Sequence, residues 1–151
     1  MVLWRISNYD TLNGIGGLKA PGRWHTQGHR VVYLSSSPAA ALLEILVHFE
    51  IQPGKLPWGY KLLEIQVPDD LQIEKISQVT GLPPNWVAEQ IATQQIGDNW
   101  LEKHSSPLLE VPSAIVPRTS NYLLNPHHPE TSRISIVSVL QLGIDKRLLR
   151  Q

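Results

Sequence analysis

The sequence contains no cysteine among its 151 residues. That excludes disulfides, thiolate metal sites and a cysteine nucleophile. It also lacks an excess of either charge: 13 Lys and Arg balance 13 Asp and Glu. A nucleic-acid binder normally carries a basic surplus to meet phosphates, so direct binding of DNA or RNA is not expected. Net charge near zero leaves little self-repulsion, which permits a homodimer. No apolar run is long enough to cross a bilayer. The start, Met1-Val2-Leu3-Trp4-Arg5, has no basic region, apolar stretch or cleavage site of a secretory signal. A cytoplasmic protein without membrane attachment is the expectation.

Three catalytic signatures are missing too. No G-x-G-x-x-G joins a strand to a helix, so a dinucleotide-binding Rossmann unit is not predicted. No H-E-x-x-H is present, and the six histidines are poorly spaced for a metal. His25 and His29 are four apart but lie in a glycine-containing loop, and His127 and His128 are adjacent. No metal site is expected. No G-x-S-x-G elbow accompanies Ser113, which argues against a hydrolase triad.

What remains is globular: 42% hydrophobic and 17% charged residues, a balance that can bury a core. The length suits a single domain over residues 1–151. Apolar alternation and β-branched content predict strands over residues 3–7, 30–35, 60–67, 71–76, 108–116 and 134–142. Leu63, Ile65 and Val67 should share one buried face. Ser37-Pro38 supplies a cap and a first-turn proline for a helix over 38–49. That helix is apolar nearly all round and is expected to be central and buried. A second helix should run over 85–95 and stop at Gly97, with Asp98 capping a short helix after it. Residues 8–30 read as a long, glycine-rich loop, a length often tied to function. Pro53, Gly54 and Pro57 mark another loop. Pro112 interrupts its strand and implies an edge or a bulge, and residues 120–126 read as turns. The sum is an α+β fold with antiparallel sheets and two or three helices.

The residue that stands out is Glu44, the only charge between Pro38 and Val47. A carboxylate among apolar side chains needs a buried partner or a chemical task. It could be one half of a structural pair with an arginine. It could instead hold a sugar hydroxyl and stabilise positive charge developing at an anomeric carbon. Arg23, in the Gly-Pro loop, has the forked geometry that suits phosphate. Tyr33, in the second strand, is either core or a ligand platform.

The segments Gly22-Arg23-Trp24, Val32-Tyr33-Leu34-Ser35, Leu42-Leu43-Glu44-Ile45-Leu46-Val47-His48 and Val111-Pro112-Ser113-Ala114-Ile115-Val116-Pro117 together resemble the RES domain family. Gly97-Asp98-Asn99-Trp100-Leu101 and Asn121-Tyr122-Leu123-Leu124-Asn125-Pro126 resemble its later motifs. The resemblance spans about residues 3–140. It implies an ADP-ribosyltransferase-like fold and a toxin that consumes NAD⁺ as substrate, with no resident cofactor. It also implies neutralisation by an Xre-type helix-turn-helix antitoxin, which would supply DNA binding. Nicotinamide would be released by hydrolysis or by phosphorolysis with phosphate as acceptor. Carried over by motif, Arg23 would bind the pyrophosphate, and Tyr33 would pack on nicotinamide or its ribose. Glu44 would bind the ribose hydroxyls. Ser113, with Ser120 as a second choice for the family serine, would orient the ribose or nicotinamide, and Asn121 is a further substrate-binding candidate. Three competing readings are a mono-ADP-ribosyltransferase that modifies a protein, an RNA-cleaving toxin and a non-catalytic binding module.

Overall fold

A computed structural model describes residues 1–48, 59–79 and 81–149. Its strands are β1 (Val2–Ser7), β2 (Val32–Ser35), β3 (Lys61–Gln66), β4 (Ile73–Lys75), β5 (Leu108–Pro112), β6 (Ser120–Leu124) and β7 (Ser135–Gln141). They form one sheet in the order β4-β5-β6-β2-β1-β3-β7. Every neighbouring pair is antiparallel except β4 with β5. The helices are α1 (Ile15–Lys19), α2 (Pro38–His48), α3 (Ile76–Val79) and α4 (Gln90–Lys103). The architecture is the expected α+β class, with two long α-helices, two short ones and a single sheet among the described residues.

The sheet separates two cores, because side chains alternate across a strand. Leu63, Ile65 and Val67 are fully buried on one face with Val32, Leu34, Leu108 and Leu124, as the alternation predicted. Leu109, Val111 and Leu123 point to the other face, against Trp24 and the α4 residues Trp100 and Leu101. Each fully buried Leu or Val contributes about 1.5–3 kcal/mol relative to exposure.

Helix α2 starts where the sequence signals it: the Ala40 amide donates to Ser37 Oγ at 3.1 Å. Its burial differs from expectation. Ala40 and Ala41 are buried, but Leu43 is 42% and Val47 61% exposed. Among the described residues the helix packs against β1 and β2, with Leu42, Ile45 and Leu46 partly covered and Leu43 and Val47 turned outward. Phe49 and the turn at Pro53, Gly54 and Pro57 fall outside the described residues.

Three other expectations need correction. Gly97 does not end a helix: α4 runs through it to Lys103 and stops at His104, which takes the left-handed conformation (φ 53°). Residues 120–124 are not turns but β6, an interior strand between β5 and β2. Pro112 does not interrupt its strand. It is the last residue of β5, beyond the reach of β4, where a missing N–H costs least. The 8–30 loop also holds structure of its own, namely α1 and a short bridge between Gly22 and His25.

Candidate active site

A cavity of about 350 Å³ opens between α2 and the loop that follows α1. Tyr33, Ser35 and Asn121 line it from the sheet, Glu44 from α2, and Arg23 from the loop. Register explains the first three. Tyr33 and Ser35 alternate with the buried Val32 and Leu34, and Ser35 pairs with Asn121 across β2 and β6. All three therefore reach the face that carries the helices.

Glu44 has no cation within ion-pair distance among the described residues. Its Oε1 accepts from Ser113 Oγ at 2.9 Å and from Asn121 Nδ2 at 2.6 Å. The structural Glu–Arg pair, one of the two readings the sequence allowed, is absent there, and two neutral donors take its place. Those donors are themselves held. Ser113 Oγ accepts from the Ile115 and Val116 amides, both at 3.1 Å, and the Ser113 amide donates to the Thr119 carbonyl at 2.8 Å. This is the tight turn that Pro112 opens. Asn121 Oδ1 is buried with no partner among the described residues. Reversing the amide would set two acceptors against each other, so the orientation with nitrogen toward Glu44 is the one chemistry allows.

Ser113 thus acts on Glu44 and does not line the cavity. It lines a second hollow on the far side of the β5–β6 turn. Ser120 is separated from Glu44 altogether: it faces Glu110 and donates to its Oε1 at 2.7 Å. Of the two serines, the structure brings only Ser113 to the carboxylate.

Tyr33 presents its ring to the cavity and commits its hydroxyl to the loop. The hydroxyl accepts from the Trp24 amide at 3.1 Å and lies 2.7 Å from His25 Nδ1. Burial pushes the phenol above its ordinary range, so it stays protonated. Burial pushes His25 the other way, below the usual imidazole value. Arg23 is half-buried and donates from Nη1 to the Val87 carbonyl at 2.7 Å. Its remaining N–H groups are unassigned to any acceptor among the described residues, and it makes no ion pair there. Arg5 also lines the cavity, and burial lowers its guanidinium to about 10, so it keeps its charge. It shares a strand face with Leu3, and its Nη1 donates to the Thr11 carbonyl at 2.9 Å, away from Glu44.

The loop that carries Arg23 is pinned along one stripe of α4. Thr93 Oγ1 donates to the Arg23 carbonyl at 2.6 Å, and Gln94 Nε2 to the Gly22 carbonyl at 3.0 Å. One turn later a Cβ on Gly97 would overlap the Trp24 carbonyl. Asp98 accepts from the Thr26 amide at 2.9 Å and from its hydroxyl at 2.6 Å. Spacings of three and four put these side chains on one helical face. Gly97 is therefore a point of close approach and Asp98 a cap on the loop. The other end of α4 is tied by Asn125, whose Nδ2 donates to the Leu101 carbonyl at 3.0 Å. Glycine in mid-helix followed by aspartate was the visible signal, and it read as a helix stop.

A model of the RES domain matches residues 2–145 of this chain. The chain belongs to the RES domain family. Among curated relatives of this RES protein, Toxin Res of Pseudomonas putida is 46% identical over 136 residues, covering 90% of this chain and 92% of the relative. Prs ADP-ribosylating toxin of a Sphingobium species is 37% identical over 157 residues, covering 98% and 96%. The toxin–antitoxin complex MbcT–MbcA of M. tuberculosis contains a chain of the same fold, with a TM-score of 0.67 at 16% identity, covering 94% of this RES chain and 84% of that one. The fold is the ADP-ribosyltransferase-like one that the sequence resemblance implied. In the RES chain, the G-R-W and G-D-N-W-L segments are two sides of one contact.

Proposed function

We propose that this RES protein is the toxin of a toxin–antitoxin module and that it cleaves the nicotinamide–ribose bond of NAD⁺ in the cavity beside Glu44. One observation carries the reading: among the described residues the Glu44 carboxylate is held by neutral donors and meets no cation, in a cavity it shares with Arg23 and Tyr33. A structural salt bridge would have spent that charge. Here it is available to a cation that forms during reaction.

The chemistry suits these groups. Nicotinamide in NAD⁺ is a cationic leaving group and departs with the bonding pair as a neutral pyridine, so no general acid is needed. Positive charge then spreads over the ribose C1 and ring oxygen, where a carboxylate stabilises it more than it stabilises the ground state. Water adding to C1 yields ADP-ribose and a proton, and phosphate adding to C1 yields the 1-phosphate ester. Arg23 would take the pyrophosphate through its unassigned N–H groups, and Tyr33 would give nicotinamide or its ribose an apolar wall. Ser113 and Asn121 would set the position of Glu44; Ser120 has no part in this scheme. NAD⁺ is substrate, and no resident cofactor is required.

The name of the Sphingobium relative favours a second reading, transfer of ADP-ribose to a protein. The site would be the same and only the acceptor would change. An Xre-type antitoxin would complete the module and supply the DNA binding that a chain of zero net charge is poorly suited to provide. The toxin would act in the cytoplasm, where NAD⁺ is plentiful. The test is to incubate antitoxin-free protein with NAD⁺, with and without phosphate, and measure nicotinamide. Release that disappears in Glu44→Gln supports cleavage here, and its phosphate dependence names the acceptor. NAD⁺ labelled in its adenylate half separates protein modification from soluble products. A folded protein that releases nothing, even with a cell extract as acceptor, defeats both readings.

A further inference from the structure

His25 is 3% exposed, a polar ring with no water to serve it. Both its nitrogens are used. Nε2 lies 3.0 Å from the Ala20 carbonyl, which can only accept, so Nε2 carries the hydrogen. Nδ1 is then a bare acceptor, and the Tyr33 hydroxyl 2.7 Å away donates to it. The same hydroxyl oxygen accepts from the Trp24 amide. One short loop is in this way closed on itself through an imidazole: Ala20 at one end, Trp24 at the other, Tyr33 between them.

The space around this ring leaves little slack. The Gly22 amide donates to the His25 carbonyl at 3.1 Å. A Cβ on Gly22 would sit 2.5 Å from the Tyr33 hydroxyl and 2.9 Å from the His25 ring. The residue between Gly22 and Trp24 is Arg23. His25 thus borders two groups of the cavity wall: it meets Tyr33 directly, and it closes the turn that carries Arg23, whose carbonyl Thr93 also holds.

We propose that His25 is a positioning residue for this site. Its neutral imidazole, bridging Tyr33 and Ala20, sets the tilt of the Tyr33 ring and the path of the Arg23 loop, and so governs how tightly the cavity holds NAD⁺. Glu44 rests on a separate support, the β5–β6 turn, so bond cleavage in the bound complex is largely independent of His25. The proposal rests on NAD⁺ being the substrate of the cavity.

The experiment uses the full chain and two readouts. His25→Ala should raise KM for NAD⁺ about tenfold while kcat stays within a few-fold, the effect of losing one or two ordinary hydrogen bonds in binding alone. His25→Asn places an oxygen near the Nδ1 position and should recover part of that loss. In a Tyr33→Phe background, His25→Ala should add less than about twofold, because coupled residues do not add. Independently of activity, ¹⁵N spectra of wild type at neutral pH should show a protonated Nε2 and a bare, hydrogen-bonded Nδ1, and Tyr33→Phe should shift the Nδ1 signal. An unchanged KM in His25→Ala, additivity with Tyr33→Phe, or a protonated Nδ1 would each overturn the proposal. If His25→Ala fails to fold, His25→Asn and the spectra still decide. Should wild type release no nicotinamide while the spectra come out as expected, the NAD⁺ reading fails and takes the role in NAD⁺ binding with it, and the hydrogen bond alone stands.

Discussion

Replacing Glu44 by Gln removes one negative charge and almost nothing else. Glu44 Oε1 accepts from Ser113 and Asn121, and the amide oxygen of glutamine can accept from both. The amide nitrogen then takes the place of Oε2, which has no partner among the described residues. Each bond falls from the charge-assisted range of about 1.5–3 kcal/mol to the neutral range of about 0.5–1.5 kcal/mol. The folded state therefore loses about 2–3 kcal/mol over the two bonds, and less where water screens the half-exposed carboxylate. Such a loss lowers the melting temperature of a domain of this size by several degrees and leaves it folded at 25 °C. The reacting cation loses more. Removing one well-placed electrostatic partner costs about 2.7–4 kcal/mol of barrier, or roughly a hundred- to a thousandfold in kcat. The assay is nicotinamide release under saturating NAD⁺, beside circular dichroism and thermal melts of the same sample. A variant within threefold of wild-type kcat refutes the electrostatic role. A variant that unfolds refutes the claim that two neutral donors hold position 44.

Three further outcomes follow from the same geometry. Ser113→Ala leaves Glu44 with one donor and two turn amides without their acceptor; kcat should fall at least tenfold and stability by about 1–3 kcal/mol, whereas Ser120→Ala should leave kcat unchanged. Gly97→Ala improves intrinsic helix propensity by about 1 kcal/mol, yet its Cβ overlaps the Trp24 carbonyl; the melting temperature should fall, and a matching rise would refute the close-approach account. Gly143→Ala, where a Cβ meets nothing, is the control. Finally, burial holds the His25 folded-state pKa below its ordinary 6.5, against the opposing pull of the Ala20 carbonyl and Asp98 and with His29 adding to the lowering, while Tyr33 lies in contact. Above that value both states are neutral at His25 and contribute no pH dependence. Below it the unfolded chain binds a proton that the folded chain refuses, so stability drops as pH falls until His25 protonates in place. Denaturant melts between pH 7.5 and 5 should show this slope in wild type and less of it in His25→Asn.

Much of the site could be read from residue types alone. The β-branched run before Tyr33 and the Ser37-Pro38 cap placed a strand and a helix start, and Glu44 stood out because its neighbours are apolar. The sense of the Glu44 environment could not be read. A carboxylate among alanines and leucines on paper suggests burial, but among the described residues the helix is only partly covered, and Leu43 and Val47 are exposed. That depends on where the sheet runs relative to the helix axis. The Ser113 contact with Glu44 crosses 69 positions and the Asn121 contact 77, distances over which local pattern carries no signal. Strand β6 is hidden in the sequence because Ser120 and Asn121 are turn formers by propensity, and pairing on both sides overrides that. His25 was weighed only as a metal ligand, since a lone imidazole shows no sign of the tyrosine it will meet.

Among the described residues no counter-ion stands beside Glu44, and that has an effect larger than one bond. With the carboxylate on α2 and the Arg23 guanidinium on the loop making no ion pair among the described residues, the site carries separated poles of opposite sign. A guest with a cation at one end and phosphates at the other meets a field that favours one orientation over its reverse before any contact forms. Entry would be polarity-sorted, and salt, by shortening the reach of that field, would slow capture without altering the fit of what is captured.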